Sequence, residues 1–203
     1  YYLSKFMSRE KEKIKLGLTG GIGSGKTFVS AIFSKLGIPV FNADDQARKC
    51  MSENEALKQD IQNVFGDNVY HNGLLQNKVL ADIVFNNNQK LEELNKLVHP
   101  VVRQRFDSWS VEQNSRIIIK EAAILFESNS HVYLDKLICV SAHEESRIER
   151  VIKRDNTSRE QVLRRIEIQM PQNEKEKLSD FVIINDEVEL LLPQIIKIID
   201  QIS

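Results

Sequence analysis

Gly20-Gly21-Ile22-Gly23-Ser24-Gly25-Lys26-Thr27 is the stretch from which the rest of the chain is read. It fits G-x-x-x-x-G-K-[ST], and its flanks fit too. Ile14, Leu16 and Leu18 alternate toward Thr19 as a short strand does, and Val29, Ile32, Phe33 and Leu36 recur at helical spacing before Gly37. Strand, glycine loop and helix in that order make a P-loop, which predicts nucleoside triphosphate binding. The residue types follow from the anion. Phosphate oxygens must come close enough for several backbone N–H groups to point inward together, and a Cβ at Gly20, Gly23 or Gly25 obstructs either the anion or the required backbone angles. The helix opening near Gly25 adds its unpaired first-turn N–H groups, with those of Thr27 and Phe28 on the α-phosphate side. The candidate nucleotide-binding residues are therefore Gly21, Ile22, Gly23, Ser24, Gly25, Lys26, Thr27 and Phe28. Lys26 reaches the β- and γ-phosphates, and the Thr27 hydroxyl ligates magnesium. A glycine turn without ligand is the plainer alternative, which the flanking strand and helix disfavour. A dinucleotide G-x-G-x-x-G beginning at Gly21 fails, because Lys26 stands where its last glycine belongs.

With 203 residues, 41% hydrophobic and 28% charged, the chain suits one globular domain with room for a small inserted lobe. Its 28 basic residues against 29 acidic ones give a net charge of -1, which argues against a general polyanion binder and so against nucleic acid as partner. Cys50 and Cys139 lack C-x-x-C spacing, and no signal-like or membrane-spanning apolar run occurs, so a cytoplasmic protein without membrane attachment or structural metal is expected. Residues 1 to 13 read as a charged, poorly ordered tail. Because the chain opens on Tyr1 and Met7 lies close to the first strand, residues 1 to 6 are expected to precede the native start.

Beyond the first helix, Gly37-Ile38-Pro39-Val40-Phe41 reads as a second strand, with Asn42-Ala43-Asp44-Asp45 at the carboxyl end where open α/β sheets place ligands. A carboxylate there can take the proton of an attacking hydroxyl, and Asp44 is the candidate. Capping of the next helix by Asp44 or Asp45 is the competing use. Arg48, one helical turn after Asp44, is placed to hold an anionic part of the acceptor, or else is simply solvated. Residues 54 to 110 carry helical stripes of core type, punctuated by Gly66, Asn72-Gly73 and Asn86-Asn87-Asn88, which reads as an inserted helical lobe. His99-Pro100 falls inside the last of these, where the proline should bend or restart the helix.

Ile117-Ile118-Ile119 reads as a buried parallel strand ending at Lys120-Glu121, with Glu121 at the Walker-B position, either touching magnesium through water or pairing with Lys120. Glu127 follows at the same rim, placed to orient acceptor groups. Lys136 to Val140 supplies another strand. Six of the chain's eleven arginines, Arg147, Arg150, Arg154, Arg159, Arg164 and Arg165, then fall within nineteen positions. Arginine's planar fork suits phosphate contact and adenine stacking, so a helix-turn-helix lid over ATP is the functional reading, with Arg150 and Arg154 foremost. Interleaved glutamates make a salt-bridged, solvated helix pair the alternative. Phe181 to Ile184 forms the last strand, Asn185 stands at its nucleotide-side end, and a closing helix runs over 188 to 202.

The collinear set of the P-loop run from Leu18, Leu36-Gly-Ile-Pro-Val40, Ala43-Asp44 with Ala47-Arg48, His99-Pro100, Leu125-Phe126-Glu127, Arg154-Asp155 and Asp180 to Asn185 resembles the dephospho-coenzyme A kinase family over nearly the whole chain. The resemblance implies a three-layer α/β P-loop kinase fold with a parallel sheet, a helical acceptor-binding lobe and a helical lid. Its parts here are a nucleotide core (14–44, 115–142, 180–202), the acceptor lobe (45–114) and the arginine-rich lid (143–170) of a single domain. It implies ATP and Mg2+, with phosphorylation of the ribose 3'-hydroxyl of dephospho-coenzyme A. Asp44 would be the base, Lys26 and Arg154 would act on the transferred phosphoryl group, and Arg150, Arg154 and Asn185 would bind ATP. Asp44, Arg48, His99 and Glu127 would hold the acceptor. Two positions depart from the family pattern. Asn42 stands where an aspartate is usual, keeping the shape and losing the charge. Ala123 stands where a proline usually precedes the Leu-Phe-Glu turn. Another small-molecule P-loop kinase is the competing enzyme, and a P-loop switch the competing class; no Asn-Lys-x-Asp or Asp-x-x-Gly segment supports the switch.

Overall fold

A computed structural model describes residues 13–85 and 87–202. The expectations for residues 1–12 lie outside them. The chain forms two compact units, one made of the described residues up to Phe41 together with those from Gln113 onward, the other of Asn42–Glu112.

The first unit is built on a sheet whose central strand is β1 (Ile14–Thr19). β1 pairs in parallel with β5 (Ile117–Glu121) on one side and with β6 (Lys136–Ser141) on the other, and β7 (Phe181–Ile184) extends the sheet beyond β6, also in parallel. A short β2 (Val40–Asn42) completes the order β2-β5-β1-β6-β7. It is shorter than the pattern from Gly37 predicts: Ile38 N–H turns back to Phe33 O, and Pro39 joins β5 only by accepting from Ile119 N–H at 2.9 Å. Pleating sends alternate side chains to opposite faces. Leu16, Leu18, Ile117, Ile119, Ile138, Val140 and Ile183 face one core with Val29 and Phe33 of α1 (Lys26–Lys35) and Ile195 and Ile198 of α9 (Leu191–Ile202). Gly17 points to the other face, where Leu125, Leu134 and Leu137 leave no room for a Cβ.

After β6 the chain makes the expected helix-turn-helix, α6 (Glu144–Asp155) and α7 (Arg159–Ile168), with its own small core of Ile148, Val151 and Val162. The short polar helix α8 (Gln172–Lys177) then leads back to β7. Its sequence, Gln-Asn-Glu-Lys-Glu-Lys, gives no apolar periodicity, so the element was not expected.

The second unit carries α2 (Ala43–Glu53), α3 (Glu55–Phe65), α4 (Asn77–Phe85) and α5 (Asn88–Glu112). Between α3 and α4 lies a hairpin of β3 (Tyr70–His71) and β4 (Leu74–Leu75), turned by Asn72 and Gly73, both at positive φ (48° and 75°) as a type I′ turn requires. The Asn-Gly pair, read from sequence as mere punctuation, is a hairpin signal. α5 runs without a break through Pro100, so the proline neither ends nor restarts it. Among the described residues no helix is long and apolar enough to cross a membrane.

Candidate active site

The P-loop leaves the carboxyl end of β1 and closes on α1 at Gly25, whose left-handed backbone (φ 93°, ψ 23°) serves as the N-cap. Its glycines face protein as well as the space for an anion. A Cβ on Gly23, itself at φ 78°, would overlap the Arg147 carbonyl, and one on Gly25 would overlap the Asn185 side chain. The requirement inferred from phosphate approach is thus reinforced from behind by helix α6 and by the residue after β7.

The loop's amides fall into two groups. Gly21 N–H donates to Gln172 Oε1 at 2.7 Å and Ile22 N–H to Gln169 Oε1 at 2.9 Å. Among the described residues the N–H groups of Gly23, Gly25 and Thr27 have no partner, and with the first turn of α1 they make a cluster of donors at the positive end of a helix dipole. Phe28 differs from expectation. Its N–H donates to Gly25 O at 3.0 Å, and its ring is exposed. Ser24 also differs from expectation, being turned into the protein: its N–H donates to Gly21 O at 3.1 Å, its carbonyl accepts from Asn185 Nδ2 at 2.8 Å and its side chain is buried. Lys26 curls over the loop, its Nζ donating to Gly20 O (2.8 Å) and Gly21 O (3.3 Å). Thr27 is exposed on the first turn of α1.

The lid arginines separate by position on their helices. Arg147, not ranked foremost by sequence, is buried against the P-loop and donates from Nε to Ile22 O at 3.0 Å. Burial pulls its pKa below the usual arginine value, with Glu144, Cys139 and Glu176 opposing the shift. Arg150 reaches Gly23 O (3.4 Å), Asn185 O (3.1 Å) and the Glu187 carboxylate (2.9 Å). Arg154 instead forms a fork with Asp155 on the lid surface, and Arg165 shares the same carboxylate. Arg159 forks onto Glu145. The amino-terminal half of α6 thus lies against the P-loop, and the far end of the lid is the ion-paired surface of the alternative reading. No signal in spacing separates Arg147 from the others. What selects it is contact with the loop, which only the fold supplies.

Asn185 is a tie between parts, its N–H donating to Ser141 O, its side chain to Ser24 O, and its carbonyl accepting from Arg150. Glu121 is buried and accepts from Ser30 Oγ of α1 at 3.0 Å. Glu127 pairs with the fully buried ammonium of Lys175 at 2.7 Å and accepts from Met170 N–H at 2.9 Å, so it holds the segment that follows the lid.

In the second unit, Asp44 and Asp45 lie in the first turn of α2, and neither caps it. Asn42 does, its Oδ1 accepting from Asp45 N–H at 2.9 Å. The cap needs an acceptor oxygen and no charge, which Asn42 supplies as well as the family's aspartate. Asp44 is exposed, and Arg48 pairs with Asp45 at 2.9 Å on the helix surface. His99 is half-buried on α5. Among the described residues no cluster of three or more His, Cys, Asp or Glu side chains could cage a metal. A single exposed hydroxyl at Thr27 fits a magnesium ion that takes most of its ligands from water and substrate phosphates.

The family model described as Dephospho-CoA kinase matches residues 14–189. A dephospho-CoA kinase of Bacteroides fragilis is 37% identical over 187 residues, covering 92% of this chain and 91% of the relative. Among solved structures, a Thermus thermophilus protein superposes with a TM-score of 0.85 at 31% identity, over 95% of this chain and 99% of that one. The dephospho-CoA kinase from Campylobacter jejuni superposes with a TM-score of 0.65 at 27% identity, over 93% and 96%.

Proposed function

The chain belongs to the dephospho-CoA kinase family, and from that premise we propose that it phosphorylates the ribose 3'-hydroxyl of dephospho-coenzyme A with ATP, giving coenzyme A and ADP, with Asp44 as the base. The observation that carries the reading is the cluster of unpartnered P-loop amides at Gly23, Gly25 and Thr27 beside the Lys26 ammonium. It is a site for a polyphosphate.

The chain's own residues divide the work. The loop amides orient the β-phosphate, and Lys26 swings from the Gly20 and Gly21 carbonyls to meet charge on the transferred group. Arg150 steadies the loop at Gly23 while its fork remains beside the nucleotide's end of the sheet. Asp44 takes the proton of the attacking hydroxyl, and Arg48 releases Asp45 to pair with an acceptor phosphate. Thr27 would hold magnesium, which would supply charge neutralisation to the substrate phosphates. A cytoplasmic enzyme fits this reading, its two buried thiols Cys50 and Cys139 being free rather than paired. Cys139 is also chemically quiet, burial pushing its thiol up to about 11.

The test is ADP release at fixed ATP and magnesium with dephospho-coenzyme A, adenosine, uridine, AMP and no acceptor. Turnover is expected with dephospho-coenzyme A far above the rest. Equal ADP release without acceptor would turn the reading toward an ATP-driven switch, and preference for AMP toward a nucleotide kinase.

A further inference from the structure

We infer that Gln169 and Gln172 are positioning residues for phosphoryl transfer, which clamp the Gly21-Ile22 turn of the P-loop and make its conformation depend on the base of the lid. The inference rests on the kinase reading above. Its ground is the way the loop's amides are shared out. The N–H groups of Gly21 and Ile22 are not left for phosphate, because each meets a glutamine carbonyl, that of Gln172 at the start of α8 and that of Gln169 just after α7. The Ile22 peptide is gripped on both sides, its N–H by Gln169 and its C=O by Arg147 of α6, so both legs of the lid bear on one residue of the loop. The Ile22 side chain completes the hold by packing against the lid core of Ile148, Val151 and Val162. Ile22 occupies a position that the G-x-x-x-x-G-K-[ST] pattern leaves open, and this chain uses it as a joint.

The clamp has a firm seat. Gln172 Nε2 donates to Val140 O at the end of β6 (3.2 Å) and to Glu176 Oε1 (2.9 Å), which itself accepts from Ser141 Oγ (2.6 Å). Met170, between the two glutamines, is held by Glu127, and Lys175 by Glu127 and Ala123 O. The glutamines are thus fixed to β6 and to the turn after β5, and they present two acceptors at a set spacing. Holding Gly21 and Ile22 there leaves Gly23, Gly25 and Thr27 as the amides aimed at the anion. Without the clamp those amides must be ordered by the nucleotide itself, at a cost in affinity and in alignment.

Gln169→Met keeps the length of the side chain and removes the acceptor, while Gln169→Glu keeps an acceptor at Ile22. For Gln169→Met we expect about a tenfold rise in KM for ATP with a fall in kcat, an unchanged KM for dephospho-coenzyme A, and faster hydrogen exchange at the Gly21 and Ile22 amides. Gln169→Glu should recover the amide protection. Should Gln169→Met destabilise the fold, Gln172→Leu read by the same exchange and KM measurements takes its place. Wild-type KM for ATP and kcat in the glutamine variants, with Lys26→Ala inactive in parallel, would overturn the clamp and leave the kinase reading standing. A wild-type-like Lys26→Ala would instead remove the kinase reading. A lowered Tm with unchanged KM for ATP would make the glutamines structural only, which also overturns the proposal.

Discussion

At the scale of single residues, contact with the P-loop decides which charges matter. Lys26 spends its ammonium on two backbone carbonyls and supports no part of the apolar core, so Lys26→Ala should fold normally and lose about 10²- to 10³-fold in rate. Circular dichroism checks the first half and ADP release the second. Arg154 makes a sharper case, because its side chain is 62% exposed and bonded to a surface carboxylate. An exposed pair of this kind contributes little to stability, so Arg154→Lys should move the Tm of the nucleotide-free protein hardly at all. If the arginine turns from Asp155 to a phosphate when ATP binds, the lysine keeps the charge and loses the fork, and turnover should fall roughly tenfold. A variant equal to wild type in ATP affinity and rate would assign Arg154 to the ion-paired surface with Arg159 and Arg165. Sequence brought six arginines to attention and ranked two. It could not separate Arg147, buried on the loop, from its neighbours, because helical spacing gives a face and not its distance from a loop more than a hundred residues earlier.

Among the elements, those legible in advance are the ones whose signal is local. β1, α1, β5 and the α6–α7 pair appear where alternation, helical periodicity and turn residues put them. α8 escaped because its stability comes from tertiary bonds, above all Lys175, a polar residue by composition that is wholly buried by its pairing with Glu127 and Ala123 O. The Asn42 cap escaped for a different reason: two aspartates just behind it are equally good cap residues, and only backbone geometry selects among them. The junction of β6 and β7 yields a measurable consequence. Asp180 accepts from Leu137 N–H at 2.8 Å and pairs with Lys136 at 2.7 Å, tying the starts of the two strands together. Burial pushes its carboxyl upward, but the Lys136 ammonium and the Leu137 N–H outweigh it and hold the pKa below the ordinary aspartate value of 3.8. A depressed folded-state pKa means that the unfolded chain takes up the proton first as pH falls. The stabilisation is therefore complete above the ordinary value and is lost as pH drops through the folded one. Asp180→Asn should lower the Tm at pH 7 and flatten its decline below about pH 4. An acid limb with the same slope in both proteins would remove Asp180 from this role.

For the whole molecule, the P-loop from Gly21 to Thr27, with Arg150 and Asn185, belongs to one compact unit, while Asp44, Arg48 and His99, the residues proposed for the acceptor, belong to the other, which the chain enters at Asn42 and leaves after Glu112. The motifs of each were legible because each is written in a short run of residues. That division permits a prediction about substrate as well as mechanism. A kinase acting on a phosphate meets an acceptor that is already ionised, whereas one acting on a hydroxyl gains from a base, so the base role proposed for Asp44 goes with a hydroxyl acceptor. Asp44→Asn preserves size and one acceptor oxygen but cannot take a proton. Its place on the first turn of α2 is secured by the Asn42 cap, which the substitution leaves intact, so the helix should persist. Turnover of dephospho-coenzyme A should then fall about 10²- to 10⁴-fold, while ATP affinity, proposed to come from the P-loop, stays near wild type. A loss of magnesium could imitate this fall, so the rate is to be followed across a magnesium titration, where a metal defect is rescued at high concentration and a missing base is not. Activity within a few-fold of wild type, or rescue by magnesium, would take the base role from Asp44 and with it the argument from base to hydroxyl.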